Sequence, residues 1–236
     1  MKTQLVTTQV ISQAALQAVV SASLIVTLLF AGFIAAEPRI SHGQSDTKTF
    51  RVRQTITDET SFLVAPANTT MVGTVYGITG GSATGTSRFV VKSNNSTGYY
   101  VEISYLHGGT QAMVGDKDGG AQLRDYTGDV AGEPSFNFTA STAAQFAYTV
   151  NSSTTGDTDP SFKNNSTVCN SGATQTFGKC WKKPTLAAFR IISRTTPATT
   201  GATSTIYFKV HVPSGAVPIP TGQTYTATAT LSLFIQ

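Results

Sequence analysis

The feature that most constrains this chain is an alternation of apolar and polar residues with a period of two, which recurs after residue 36. Ile206–His211 reads IYFKVH, and Tyr225–Leu233 reads YTATATLSL, so each has one apolar and one polar set of positions. Successive side chains of a β-strand lie on opposite faces, and this alternation therefore predicts strands. No stretch after Ala36 shows a helical period over three turns, so we expect little helix there.

The candidate strands are short, rich in β-branched or aromatic residues, and separated by groups of Gly, Asn, Ser, Thr and Pro. This pattern predicts an all-β fold, an antiparallel β-sandwich of immunoglobulin-like or jelly-roll type with roughly 9–11 strands. The candidates are Thr49–Ile56, Ser61–Val64, Met71–Ile78, Ser87–Lys92, Tyr99–Tyr105, Ser135–Thr139, Gln145–Val150, Ala188–Ser193, Ser204–Val212 and Thr224–Ile235.

The chain divides into an apolar beginning, a linker and one domain. Residues 37–48 are polar and lack periodicity, which is typical of a linker. We expect residues 49–236 to form a single β-sandwich domain, whose first strand has Phe50 and Val52 on one face. Residues 151–184 are a long polar stretch that holds both cysteines, and a loop of this length predicts an insertion on the domain.

The first 36 residues predict export. Ala14–Ala36 is almost unbroken apolar sequence, densest over Leu24–Ala36, and it ends in small residues before Glu37. This arrangement favours an N-terminal helix that is a cleaved signal peptide. A retained membrane anchor at residues 14–36 stays open, because the whole stretch is also long enough to span a bilayer. Both interpretations place residues 37–236 outside the cytoplasm, in the extracellular space or at the cell surface.

The two cysteines agree with an oxidising compartment. Cys169 and Cys180 are the only cysteines, and they lie close together in a polar segment. A metal site would need two more ligands nearby, and a thiol redox motif would need a shorter spacing. We therefore predict a structural disulfide between Cys169 and Cys180, with Trp181 as a hydrophobic anchor beside it.

Composition and motifs argue against nucleic-acid binding and catalysis. The net charge of +4 is spread thinly over a chain in which only 12% of residues are charged, with no basic cluster. No nucleophile elbow, zinc-protease motif, phosphate loop or dinucleotide fingerprint occurs. We expect no catalytic residues, no cofactor and no enzyme activity. A secreted hydrolase using His107 is the least favoured alternative.

Asp116 and Asp118 are candidate calcium ligands, because Asp116–Gly120 has the Asp-x-Asp-Gly spacing of a calcium loop. The twelfth position from Asp116 is Thr127 instead of the bidentate Glu that such a loop requires. Asp and Gly are also common turn residues, so the favoured interpretation is a turn without a metal.

The aromatic residues indicate an alternative function, which is the binding of carbohydrate. Sugar-binding sites use exposed aromatic rings as platforms, and the candidates are Tyr99, Tyr105 and Trp181. Packing in the core is the commoner role for such residues.

Segments of the chain resemble two groups of proteins. The blocks Thr49–Ile56 and Phe62–Val64, together with the ending Thr224–Leu231, look like uncharacterised secreted β-sandwich proteins of uncultured bacteria. The ending is also similar to the last strand of WxL-domain proteins of Gram-positive cell surfaces, in which Tyr-Thr-Ala-Thr precedes Trp-x-Leu. The equivalent triplet here, Leu231–Leu233, lacks the tryptophan. Both resemblances imply a cell-surface protein, and the second implies attachment to the wall.

We therefore expect an exported, non-catalytic structural or adhesive protein of the cell surface that acts through the edges and loops of its sandwich. The expected partners are copies of itself or the glycans of a cell wall or surface, without nucleic acid. A membrane would be a partner only through residues 14–36, if these are not cleaved. The alternative is a carbohydrate-binding or cell-wall-binding module.

Overall fold

The computed structural model describes residues 48–128, 132–138, 140 and 142–236, and this part of the chain is all-β. It contains ten strands and two single-turn 3₁₀ helices, Thr155–Asp157 and Pro160–Phe162. The strands are β1 (Thr60–Val64), β2 (Val75–Tyr76), β3 (Gly80–Ser93), β4 (Tyr99–Leu106), β5 (Met113–Gly115), β6 (Gln122–Asp125), β7 (Gln145–Ser152), β8 (Phe189–Arg194), β9 (Ala198–Val212) and β10 (Tyr225–Ile235).

The ten strands form one open, mixed sheet. Hydrogen-bonded neighbours follow the order β1-β3-β9-β7-β6-β5-β10-β4-β8, and β2 pairs with β3 outside this path. All pairs are antiparallel except β6 and β7, which run parallel where Arg124 lies opposite Gln145. The expectation of a purely antiparallel arrangement was therefore wrong. The chain from β6 to β7 returns by a long connection instead of a hairpin, which allows the parallel pairing.

The two longest strands, β3 and β9, form the centre of one half of the sheet. They pair continuously from Gly81 opposite Val212 to Val91 opposite Ala202. Their buried positions alternate with exposed ones, as the sequence of β9 predicted. Each strand therefore presents one apolar face to the core, because residues two apart share a face.

Strands from both halves of the order contribute to one hydrophobic core. The cluster includes Phe89 of β3 and Ile206 of β9 together with Val101 of β4 and Ile192 of β8. The sheet therefore curls so that its two halves share buried side chains. Tyr105 packs edge-on against Phe146 of β7, with ring centroids 6.1 Å apart.

The prediction of a first strand over Thr49–Ile56 was wrong, since no strand precedes β1 in the described residues. Residues up to Gln54 belong to a unit separate from Thr55–Gln236. Phe50, Val52 and Ile56 are 85%, 84% and 82% exposed. An amphipathic strand needs a partner strand and a core to cover its apolar face, and alternation by itself provides neither.

Other strand boundaries also differ from those expected. Met71–Ile78 contains only the two-residue strand β2, and Ser135–Thr139 contains an isolated bridge from Ser135 to Trp181. The short hairpin of β5 and β6 was not predicted, because its Gly- and Asp-rich connection hides the alternation.

The predicted N-terminal helix, the signal peptide or anchor, and all but Lys48 of the predicted linker lie outside the described residues. In the part of the chain that is described, no helix has the length and hydrophobicity needed to span a membrane.

Candidate functional site

The predicted disulfide is present and fixes the segment between β7 and β8. Cys169 and Cys180 are bonded, with Cα atoms 5.6 Å apart. Asn164 lies beside them: its backbone N–H donates to the Thr174 carbonyl (2.9 Å), and its side-chain oxygen accepts from Thr176 Oγ1 (2.9 Å). The disulfide is buried among polar groups that are hydrogen-bonded to each other. Its position indicates a structural role.

The calcium candidates Asp116 and Asp118 lie in the turn between β5 and β6. The Asp118 carboxylate accepts a hydrogen bond from the Gly120 N–H (2.9 Å), and the Gln223 side-chain oxygen accepts from the N–H groups of Lys117 and Asp118. The Asp118 contact is typical of a turn stabilised by its own side chain, and the Gln223 contacts add support from outside the turn. The described residues contain no group of three or more His, Cys, Asp or Glu side chains that could hold a metal ion.

The aromatic candidates Tyr99, Tyr105 and Trp181 are buried, with exposed fractions of 1%, 3% and 5%. Burial, with a smaller contribution from Asp157, raises the pKa of Tyr99 to about 12. Burial raises the pKa of Tyr105 well above its ordinary value. The Trp181 ring nitrogen donates to the Gly178 carbonyl (2.7 Å). None of the three rings presents an open face, which a sugar platform requires.

His107 pairs with Asp125 at the connection between β4 and β5. The His107 Nε2 atom lies 3.5 Å from Asp125 Oδ2. Asp125 Oδ1 also accepts from the Ala112 N–H (3.0 Å). Burial raises the pKa of Asp125 from its ordinary value, against the lowering effects of the Ala112 hydrogen bond and of His107. This contact and the Ala112 hydrogen bond hold residues 107–112 against β6.

The main concave feature is an apolar groove between the two halves of the curled sheet, with a cavity of about 1060 Å³. One wall comes from β3, β7 and β9, and the other from β4, β5, β6 and β10. Pro66–Met71 and Ile219–Thr224 form its rims. The groove is partly open to solvent, and its volume is comparable to that of large ligand-binding clefts.

Small side chains on two strands account for the width of the groove. Ala83 and Ser87 of β3 line it on one side, and Ala227 and Ala229 of β10 line it on the other. Their short side chains leave more space in the groove than larger side chains at the same positions would.

The strand β10 has one free edge, and this edge borders the groove. Tyr225–Ala227 pair with β5, and the next residues, Thr228–Ile235, pair with β4 without a break in register. The Asp116 N–H donates to the Thr224 carbonyl (2.9 Å) and the Gln236 N–H donates to the Gly98 carbonyl (3.2 Å). Even-numbered residues therefore direct their backbone groups towards β5 and β4, which lie end to end along the same edge.

The odd-numbered residues of β10 direct their N–H and C=O groups to the opposite side, because these directions alternate along an antiparallel strand. Within the described ranges, no strand or isolated bridge pairs with that side. The same odd-numbered positions include Tyr225, Ala227, Leu231 and Leu233, whose side chains pack against the core. Unpaired backbone groups and inward-facing apolar side chains thus occur together along the groove.

The strand β3 has a matching gap on the other side of the groove. Its outer edge pairs with Val72 at Thr84 and with β1 from Val90 onward. Between these points, Pro66–Met71 runs past without a ladder, and the Ser87 hydroxyl donates to the Ala67 carbonyl (2.8 Å). The groove therefore lies between two strand edges that are incompletely paired.

Sequence reasoning missed this groove. The signal available was the pair of alanines at the inward positions of β10, in a strand that has neither charge nor proline. That signal becomes meaningful only when the pairing order shows which edge of β10 is free. Comparison of the chain with known protein families, curated proteins and solved structures gives no match.

Proposed function

We propose that this protein is an exported, non-catalytic structural protein of the cell surface that assembles with copies of itself through the groove and the free edge of β10. The observation that carries this proposal is the unpaired β10 edge beside an unfilled apolar groove. Exposed strand edges pair readily with other chains. Strand addition supplies backbone hydrogen bonds, while a groove supplies pockets for alternate side chains.

The sequence of β10 supports the proposal because it lacks the usual protection of an edge strand. Natural proteins block free edges with lysine, proline, bulges or very short strands. Tyr225–Ile235 is eleven residues long, without a charged residue or a proline and without a bulge in its pairing with β4. An edge of this kind would cause indiscriminate aggregation unless a specific partner covered it.

Other observations bear on the architecture, the compartment and the alternative function. The shared core of the two halves of the sheet favours a β-sandwich, in which the groove is the gap between two facing sheets. The Cys169–Cys180 bond favours an oxidising, extracellular compartment. The burial of Tyr99, Tyr105 and Trp181 removes the observation on which a carbohydrate-binding module depended, so we do not propose that function.

A pair of lysine substitutions at neighbouring positions tests assembly through the groove. Ala229→Lys places a charge at an inward position of the free edge, whereas Thr228→Lys places the same charge on the opposite face of β10. Both native residues are exposed, so the two variants are matched. We expect the full chain and Thr228→Lys to form oligomers as concentration rises in sedimentation velocity, and Ala229→Lys to remain a monomer with an unchanged melting temperature.

A full chain that stays monomeric at every concentration would overturn the proposal. Equal assembly of the two lysine variants would also overturn it, because the groove would then play no part.

A further inference from the structure

We propose that the occupant of the groove is the segment Thr49–Ile56 of a second copy, added as a strand along the free edge of β10. This inference rests on the proposed function, and it identifies the segment of the second copy that would occupy the groove. The donor segment, as we call Thr49–Ile56, precedes β1 and carries no strand of its own.

The donor segment has the side-chain pattern that the groove requires. Phe50, Val52 and Ile56 are large, apolar and more than four-fifths exposed, and they are spaced by even numbers of residues. In an extended conformation they therefore lie on one face, while Arg51 and Arg53 lie on the other. One face would enter the groove, and the charged face would remain in water.

The dimensions of the two partners also agree. Eight extended residues span about 26 Å at roughly 3.3 Å per residue. The residues of β10 that line the groove run from Tyr225 to Leu231, and part of β1 also lies close to β10. The stretch from Phe50 to Ile56 has the same length as Tyr225–Leu231, so the apolar face of the donor segment matches the groove-lining part of the edge.

The groove offers small residues where the donor segment offers large ones. Ala83 and Ser87 on one wall and Ala227 and Ala229 on the other leave the space that Phe50 and its neighbours would fill. The cavity volume of about 1060 Å³ lies just above the range for small-molecule pockets, roughly 300–1,000 Å³. An open, elongated space with a free strand edge fits an extended peptide better than a compact ligand.

Local structure favours donation to a second copy over insertion into the same copy. Thr55–Glu59 contain no turn or bend before β1 begins at Thr60. The Thr57 carbonyl accepts from Asn94 Nδ2 (3.1 Å), and the Glu59 carbonyl accepts from the Asn94 N–H (3.1 Å). These hydrogen bonds fix the chain at Thr57 and Glu59, and no glycine or proline, the residues that favour tight turns, lies between Ile56 and Thr60.

The alternation also fixes the register of the added strand. A slip by one residue would turn Arg51 and Arg53 into the apolar groove and Phe50 and Val52 into water. Burying unpaired arginine side chains is costly. Only registers that place the apolar face inward are therefore compatible with the groove.

The test mixes two full-length variants that each lack one half of the interface. Val52→Asp blocks the donor face and leaves the groove intact, and Ala229→Lys blocks the groove and leaves the donor segment intact. We expect each variant to be monomeric alone. An equimolar mixture should give a single species with twice the monomer mass in sedimentation velocity. Arg53→Asp, on the outward face of the donor segment, is the matched control and should assemble like the unmodified chain.

The possible results separate this inference from the proposed function. If Val52→Asp assembles like the unmodified chain while Ala229→Lys does not, the groove is used but the donor segment is not its occupant. If the mixture contains only monomers, the inference is overturned as well. If Val52→Asp lowers the melting temperature of a monomer by the same amount at every concentration, the segment fills its own groove and donation between copies is wrong.

Discussion

At the scale of single residues, small side chains at a few positions determine what this protein can contact. Ala227 and Ala229 of β10 line the groove together with Ala83 and Ser87 of β3. If the threonine and alanine residues of β10 exchanged positions, threonine would face inward and its hydroxyl group would lie towards the core. The site is thus defined by the absence of side-chain volume and not by a reactive group.

The disulfide provides a prediction at this scale. Replacing both Cys169 and Cys180 by alanine should lower the free energy of unfolding by about 3 kcal/mol, because the bond closes a short loop in the unfolded chain. Urea denaturation of the oxidised protein would measure the change. Val168→Ala, at an exposed neighbouring position, should change the free energy by less than about 0.5 kcal/mol. Equal effects of the two changes would contradict a structural role for the bond.

At the scale of elements, the two edges of β10 have different roles. One edge is bonded to β4 and β5 over its whole length, and the other is free. The backbone directions along β10 therefore divide its residues into two sets. Removing a backbone N–H from the set that faces β4 and β5 should destabilise the fold. Removing one from the other set should prevent assembly without destabilising the fold.

Proline scanning of β10 tests this division. Ala229→Pro removes an N–H from the free edge, so it should leave the melting temperature nearly unchanged and prevent assembly. Thr230→Pro removes an N–H that faces Ser104 of β4 and leaves the partner carbonyl unpaired, so it should destabilise the fold by about 1–3 kcal/mol. Thermal unfolding and sedimentation velocity would measure the two effects. Similar destabilisation by both prolines would show that the free edge has been placed on the wrong side.

Some strands could be predicted from the sequence and others could not. Strands with one apolar face, such as β4 and β9, could be located because burial on that face produces the alternation. The hairpin of β5 and β6 could not, since its strands are only three and four residues long. The same alternation in Thr49–Ile56 wrongly predicted a strand: the segment has the pattern, but it forms no strand in the described residues.

At the scale of the whole molecule, the groove could not be predicted, because it depends on which strands are neighbours. Residues of β3 and β10 that line it are more than 130 positions apart in sequence. Alternation identifies an inward face but not the strand that it faces. The cysteine pair was the exception, since its closeness in sequence restricted its partner.

Filling the groove should stabilise the whole molecule. A synthetic peptide with the sequence of residues 48–57, added at a hundred times its dissociation constant, should stabilise Val52→Asp by about 2.7 kcal/mol. For a protein of this size, that corresponds to a rise in melting temperature of roughly 5–10 °C. A peptide of the same composition with its alternation scrambled is the control. An equal shift with both peptides would contradict recognition by the groove.

The free edge of β10 has a consequence for the symmetry of any assembly. If each copy gives its segment to one neighbour and receives one from another, and the rotation between copies does not close a ring, the contact joins two different surfaces and does not close on itself as a two-fold dimer would. Repetition of such a contact produces an open chain with two unlike ends. One end would keep an empty groove and the other an unused segment, so the polymer would have a direction. Growth could then be stopped at one end without affecting the other.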